Sequence, residues 1–198
     1  MSEDNSSTSK NEKNSILYFK REWTFWLIIY DKQQEQYQIE EICSANTVSN
    51  FYSFYKELPR ISELKNTDCK KISIALFAGY IRPAWEDENN QNGGAYCFLV
   101  DNDTKHATQG DAQIVDEIWL DLMLMAVGGD LNKIIQDGDS NDNEVCGIVV
   151  GPKGNKNNIY GIDIWVKKDG ENKNVKGKII EKLNINKDIK FIYKKHGR

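Results

Sequence analysis

The sequence is poor in the residues that hold metal ions or cross-link a chain. It contains two histidines and four cysteines, and the cysteines stand far apart, without a Cys-x-x-Cys pair. Zinc sites and disulfide frameworks both need such residues at close, regular spacings, so the sequence favours neither. We interpret the cysteines as reduced residues, mostly in the core, of a cytoplasmic protein, with the nucleus as a further location.

The sequence also lacks long apolar runs and an excess of positive charge. No run approaches the length of a membrane span, and the N-terminal stretch MSEDNSSTSKNEKNS has no apolar segment of a secretory signal. We therefore expect no membrane partner. A net charge of −4 argues against a protein that binds nucleic acid through its phosphates alone. The negative net charge does not exclude a protein that binds a single nucleotide in a pocket.

The bulk composition is typical of one soluble domain. Hydrophobic residues make up 39% of the 198 residues and charged residues 28%, as in globular chains that bury a core. The polar residues 1–15 are expected to form a disordered tail. Residues 16–198 are expected to form the folded domain.

Hydrophobic periodicity predicts seven strands and three helices. The strands are expected over residues 22–30, 36–43, 71–78, 96–100, 145–150, 159–166 and 189–193. The helices are expected over residues 48–58, 112–127 and 172–183. Many connections are too short for parallel crossovers. The predicted fold class is therefore α+β, with one antiparallel sheet and the helices packed on one face.

Three details of this prediction are specific enough to test. Asn46 or Thr47 is expected to cap the first helix, and a polar loop is expected between the second helix and residue 145. In the second strand, alternation places one set of side chains on a single face. That set comprises Tyr37, Ile39, Glu41 and Cys43.

Several motifs carry only weak signals. Residues 137–143, DGDSNDN, resemble the start of a calcium loop but lack the required Gly and Glu, so a solvated acidic loop is the simpler interpretation. Residues 151–156, GPKGNK, lack the spacing of a phosphate loop and fit a turn, although its two lysines could meet a phosphate. His106 has no patterned Ser or Cys partner for nucleophilic catalysis.

The second predicted helix is apolar on more than one side. One stripe suited to the sheet comprises Val115, Ile118, Leu122 and Met125. Leu120 and Leu124 then point elsewhere. Such a helix is either buried on two sides or docks a partner, and the sequence leaves both possibilities open.

A polar loop over residues 83–96, PAWEDENNQNGGAY, carries an unexpected tryptophan. Trp85 beside a carboxylate would suit a flat ligand, which stacks on the indole while the carboxylate accepts its N–H donors. Guanine presents two such donors, and a charged base adds a cation–π attraction. Other interpretations stay open. Trp85 could fold back over the sheet. The carboxylates of Glu86, Asp87 and Glu88 could form an acid/base pair or a solvated run of charges.

These residues resemble the signature of the eukaryotic translation initiation factor 4E family, the mRNA cap-binding proteins. The loop matches at Trp85-Glu86-Asp87, followed by Gly93-Gly94 and an aromatic residue. The resemblance extends from about residue 18 to residue 193. It includes the stretches WTFW (23–26), TVSNFY (47–52), IWL (118–120), VCGIVV (145–150) and IDIW (162–165).

The resemblance implies a curved antiparallel sheet with three helices on its convex face and a cap pocket on its concave face. It implies that 7-methylguanine is sandwiched between Trp85 and a second aromatic ring at Tyr37. A Tyr at that position is similar to the class that includes the homologous cap-binding repressor. The resemblance further implies that Glu86 accepts the guanine N1 and N2 donors and that Trp165 lies against the N7-methyl group.

The cap phosphates would meet Lys153, which stands at a basic position of the family, and Lys156, which we take as the second. Ala95 departs from the pattern, because the family often has a basic residue after Gly-Gly. Tyr52 departs likewise, because it stands where the family has a partner-docking Trp.

The resemblance implies partners of two kinds: capped mRNA, and an initiation scaffold or repressor that docks through a helical peptide. The docking surface maps to Val48, Tyr52, Leu120, Asp121 and Leu124. We expect a monomer that acts in translation initiation, with no catalysis, no cofactor and no metal. The alternatives are a cap-binding repressor that does not recruit the scaffold, an interaction module with weak cap affinity, and a nucleotide hydrolase that uses Glu86.

Overall fold

The computed structural model describes residues 15–102, 114–136, 143–154 and 158–197. Several predicted features lie outside these residues: most of the N-terminal tail, the expected start of the second helix at residues 111–113, most of the acidic loop, His106 and Lys156.

Seven strands form one sheet in the described part of the chain. Their order is β2-β1-β3-β5-β6-β4-β7, and each of these strands is antiparallel to its neighbours, which confirms the predicted α+β fold class. The strands are β1 (Tyr18–Asp31), β2 (Gln36–Thr47), β3 (Lys70–Ala78), β4 (Gly94–Asp101), β5 (Val145–Pro152), β6 (Ile159–Val166) and β7 (Phe191–Lys195).

Within the described ranges, four α-helices accompany the sheet where three were predicted. They are α1 (Val48–Glu57), α2 (Ile114–Gly128), α3 (Asp130–Gln136) and α4 (Asn174–Lys182), with a 3₁₀ turn at Ile61–Glu63. Thr47 caps α1 by accepting the backbone N–H of Asn50 at 3.2 Å, as predicted.

The predicted polar loop after α2 is wrong, because α3 begins almost at once. Gly129 (φ +85°) turns the chain, and α3 then buries Leu131, Ile134 and Ile135. A helix of seven residues is too short for helical periodicity to be recognised in the sequence, so α3 was not predicted.

Among the described residues, helices cover one face of the sheet and leave the other face without them. The helix-covered face holds the larger core, which includes Trp23, Phe25, Leu76, Phe98, Ile148 and Ile162. The opposite face, called the open face below, carries a smaller apolar cluster. That cluster comprises Trp26, Ile28, Ala75, Phe77 and Cys146, with Ile39, Ile81, Val149 and Trp165 packed against it.

A β-bulge in β2 divides the set of side chains predicted to share one face. Phe25 pairs with Cys43, but its neighbour Trp26 pairs with Glu41, so one extra residue, Ile42, is accommodated in β2. Cys43 therefore packs against the helix-covered core, while Ile39 packs on the open face. The predicted face is wrong at Cys43.

Helix α2 is buried over a wider arc than the predicted stripe. It packs against β1, β4 and β5, against α3 and against the 3₁₀ turn, and Met125 is only half-buried. Leu120 and Leu124 are also half-buried and contact the core. Its fully buried residues are Val115, Ile118, Trp119, Leu122, Met123 and Ala126. Burial on two sides therefore explains part of the apolar sequence.

Candidate nucleotide-binding site

The floor of the candidate site is a row of side chains across the open face. Trp165 on β6 pairs with Gly147 on β5, which in turn pairs with Phe77 on β3. The rings of Trp165 and Phe77 meet edge to face, with centroids 5.5 Å apart. A Cβ atom on Gly147 would lie 2.3 Å from two carbons of the Phe77 ring. Glycine at this position therefore allows the aromatic floor to form.

The loop of residues 82–93 is held in shape by its own polar groups. The Asp87 carboxylate accepts the backbone N–H groups of Arg82 and Asn89 at 3.0 and 2.9 Å. The buried Asn90 side chain donates to the carbonyl oxygens of Arg82 and Ala84 at 2.8 and 2.9 Å. The Cys146 thiol, on the open face, contacts the Asn89 carbonyl at 3.5 Å. These bonds order the loop and attach it to the open face.

The two residues that suggested a ligand are both exposed on this ordered loop. Trp85 is 53% exposed, so the alternative in which it folds back over the sheet is wrong. Glu86 is exposed and has no hydrogen-bond or ion-pair partner in the described part of the chain. Asp87, by contrast, is engaged with the loop backbone. The adjacent carboxylates thus have different environments and do not form an acid/base pair.

His196 joins the site, although no sequence motif indicated it. Its ring lies 4.3 Å from the Trp165 ring, and its Nδ1 lies 2.9 Å from the Asn90 carbonyl oxygen. A carbonyl can only accept, so Nδ1 carries the proton. Burial lowers the pKa of His196, which keeps the ring neutral at pH 7. Its buried Nε2 has no hydrogen-bond partner among the described residues.

Tyr37 lies on the open face near the β1–β2 turn and is 63% exposed. Its ring contacts that of Tyr30, with centroids 4.7 Å apart. Tyr30 also pairs with Lys71, near the start of β3, whereas Trp85 belongs to the loop after the end of β3. In the described part of the chain the rings of Tyr37 and Trp85 make no contact.

Comparison with known proteins assigns the family. The sequence model of the Eukaryotic initiation factor 4E family matches residues 18–198. The chain belongs to this family. It is 29% identical over 162 residues to eukaryotic translation initiation factor 4E1 of Drosophila melanogaster, covering 81% of this chain and 54% of the relative. It is 30% identical over 150 residues to factor 4E-2 of Schizosaccharomyces pombe, covering 75% and 53%. The chain thus spans about half the length of these curated relatives.

Solved structures of 4E proteins share the fold. Ascaris suum eIF4E-3 in complex with the m7G cap matches with a TM-score of 0.73 at 22% identity, covering 92% of this chain and 93% of that chain. Caenorhabditis elegans eIF4E-3 in complex with the 4E-binding protein Mextli and a cap analog matches with a TM-score of 0.69 at 22% identity, covering 92% and 94%.

The basic residue that the 4E resemblance implied for phosphates lies on the open face. Lys153 follows β5, and its Nζ lies 3.9 Å from the Asp163 carboxylate on β6. The other implied residue, Lys156, lies outside the described residues. Asp163 on β6 pairs with Cys97 on the neighbouring strand β4. Burial, together with Asp163, raises the pKa of the Cys97 thiol to about 12, so the thiol adds no negative charge at pH 7.

The implied partner surface of the 4E fold is partly exposed on the helical side. Tyr52 is 39% exposed and leans edge to face on Phe51, with centroids 5.7 Å apart. Val48 is half-buried, and Asp121 is exposed.

An exposed apolar segment missed by sequence analysis lies beside the start of α1. The Leu17 carbonyl accepts the Val48 N–H at 3.0 Å. Ile16, Leu17 and Tyr18 are 65%, 63% and 67% exposed. The sequence signal that could have indicated this exposed segment is the run of three consecutive apolar residues in an otherwise polar N-terminal region.

In the described residues, no helix is long and apolar enough to cross a membrane. Over the same ranges, no group of three or more His, Cys, Asp or Glu residues could hold a metal ion.

Proposed function

We propose that this protein binds the 7-methylguanosine cap of mRNA on its open face and acts in translation initiation, without catalysing a reaction. The observation that carries the proposal is the pairing, on one ordered loop, of an exposed indole with an adjacent carboxylate that has no partner among the residues the structure describes. Exposed aromatic surface and an unpaired carboxylate on a rigid loop fit a ligand that supplies both a flat ring and N–H donors.

The recognition follows from the chemistry of 7-methylguanine. Methylation at N7 gives the base a positive charge, which strengthens stacking on the electron-rich indole of Trp85. The N1 and N2 donors of the base would bond to the ionised carboxylate of Glu86. Trp165, fixed between Phe77 and His196, would supply the apolar floor against the methyl group.

Tyr37 is the proposed second ring. Its exposure leaves one ring face available for stacking, and the lack of contact with Trp85 is what a sandwich requires before a base enters it. Because the two residues belong to opposite ends of β3, the β1–β2 turn or the loop of residues 82–93 would close around the base. Such closure is a loop rearrangement of the larger kind that a substantial minority of complexes show on binding.

The helical side is the proposed docking surface for a helical peptide of an initiation scaffold or a repressor. Amphipathic peptide helices place apolar side chains on partly exposed apolar surface. Here that surface comprises Val48, Tyr52, Leu120 and Leu124, bordered by Asp121 and by the exposed residues Ile16, Leu17 and Tyr18. We propose a cytoplasmic monomer, with the nucleus as a further location.

A cap-binding repressor is the second candidate, and the observation that favours it is the tyrosine at position 37. Both candidates predict retention on a 7-methylguanosine triphosphate resin and elution by free 7-methylguanosine triphosphate but not by guanosine triphosphate. Recovery of an initiation scaffold from lysate with the wild type, and its loss with a Leu124→Asp variant, would support the role in initiation. Cap binding without recovery of a scaffold would support the repressor. Failure of the folded protein to bind the resin would contradict both candidates.

A further inference from the structure

A second lysine lies on the open face, on the edge strand β7. The register pairs Lys194 with Ala95 on β4, and Ala95 with Trp165 on β6. Residues directly opposite in antiparallel strands point to the same side, so Lys194 shares a face with Trp165. Two strand spacings of about 4.8 Å put their Cα atoms roughly 10 Å apart.

Lys153 approaches the same part of the open face from the β5 side. This part, which comprises Ala95, Cys97 and Gly161, is called the strip below. A Cβ atom on Gly161 would lie 1.8 Å from Lys153 Cε, so the aliphatic stem of the lysine lies across β6 at this glycine. Both lysines lie close enough to the Cys97 thiol for their charges to lower its pKa, against the larger effect of burial. The two ammonium groups therefore flank one short stretch of the open face.

The charges on this strip do not cancel. Asp163 is the carboxylate beside Lys153, at 3.9 Å, and the Cys97 thiol stays neutral. Lys194 has no ion-pair partner in the described ranges, whereas its neighbour Lys195 is paired with Asp169 at 2.7 Å. Two ammonium groups and one carboxylate leave a positive strip on a chain whose net charge is −4.

Lys153 is 52% exposed and Lys194 is also exposed, so both ammonium groups can reach a ligand that lies above the buried residues Ala95 and Cys97. Ala95, Cys97 and Gly161 present small side chains or none. A phosphate chain could therefore lie along the strip, with its oxygens near both ammonium groups and its nucleoside towards Trp165. Lysine suits this role because its compact charge sits on a flexible stem.

We propose that Lys194 is a further phosphate-binding residue, which holds the 5′-phosphates of a 7-methylguanine nucleotide from the β7 side while Lys153 approaches them from the β5 side. This rests on the proposed function, since it places the base by the loop of residues 82–93. It adds a binding residue on β7 that no sequence motif indicated.

The test compares ligands that differ only in their phosphates. Tryptophan fluorescence titrations use 7-methylguanosine, its monophosphate and its triphosphate with the wild type, Lys194→Gln and the matched control Lys195→Gln. For Lys194→Gln we expect about fivefold weaker binding of the triphosphate, as for one exposed charge pair, and less than about twofold change for the nucleoside. The triphosphate effect should shrink in high salt, and Lys195→Gln should bind as the wild type.

Unchanged triphosphate affinity in Lys194→Gln, or an equal loss for nucleoside and triphosphate, would overturn the assignment of Lys194. If the wild type already prefers the methylated base in that case, cap binding itself stands. If the wild type binds methylated and unmethylated triphosphates equally but Lys194→Gln weakens both, the phosphate site stands and the proposed function fails. If the wild type binds neither triphosphate, both proposals fail.

Discussion

Glu86→Gln is the substitution that most directly probes how the base would be held. In the described part of the chain Glu86 has no protein partner, so this change should leave the loop intact and affect only the ligand. The glutamine loses the negative charge and turns one acceptor oxygen into an NH₂ donor that faces the guanine donors. Each hydrogen bond to a charged group contributes about 1.5–3 kcal/mol. We therefore expect a loss of at least about 2 kcal/mol, roughly thirtyfold in Kd.

The assay is isothermal titration calorimetry with 7-methylguanosine triphosphate, and Glu88→Gln is the matched control. Glu88 is exposed on the same loop, so its substitution should change Kd by less than about twofold. Asp87→Asn is a poor control, because Asp87 accepts two backbone N–H groups of the loop. The assignment of Glu86 is wrong if Glu88→Gln weakens binding more than Glu86→Gln, or if Glu86→Gln binds as the wild type.

Substitutions at three further positions test other parts of the molecule. Tyr37→Ala should lose about 1–3 kcal/mol of cap affinity in fluorescence titrations while Tyr37→Trp keeps it; wild-type affinity in the alanine variant would place the second ring elsewhere. Leu124→Asp should abolish binding of a helical partner peptide yet leave cap affinity within about twofold; lost cap affinity in a still-folded variant would contradict separate sites. Gly147→Ala should lower the free energy of unfolding by about 1–3 kcal/mol in urea denaturation, because the added methyl meets the Phe77 ring; an unchanged midpoint would refute that packing.

The sequence predicted the sheet well because its strands alternate or are uniformly apolar. All seven strands were expected near their observed bounds, and β6 was expected at the observed residues 159–166. Helix α1 and its Thr47 cap also follow from local signals. These features depend on side-chain periodicity and capping, which are local in the chain.

The missed features depend on contacts between distant segments. The bulge at Ile42 is visible only from the pairing of β2 with β1. Burial of Trp119 and Met123 depends on the packing of α2 against the sheet and α3. His196 approaches Trp165 only through the register of β7 with β4 and of β4 with β6, and the same register brings Lys194 onto the open face.

The candidate site was predictable in composition but not in arrangement. The sequence indicated Trp85 as a stacking ring beside a carboxylate acceptor, the family resemblance implied that the acceptor is Glu86, and both residues are exposed on one loop. It could not show that Asp87 is engaged by the loop backbone. That difference between two adjacent carboxylates arises from the folded loop.

The most direct measurement of the central claim is the ratio of dissociation constants for guanosine triphosphate and 7-methylguanosine triphosphate. The methyl group gives the base its positive charge, and the cation–π attraction contributes about 2 kcal/mol at a desolvated site. Cap recognition by Trp85 and a second ring therefore predicts that the methylated nucleotide binds roughly thirtyfold more tightly. Equal dissociation constants for the two nucleotides would contradict it.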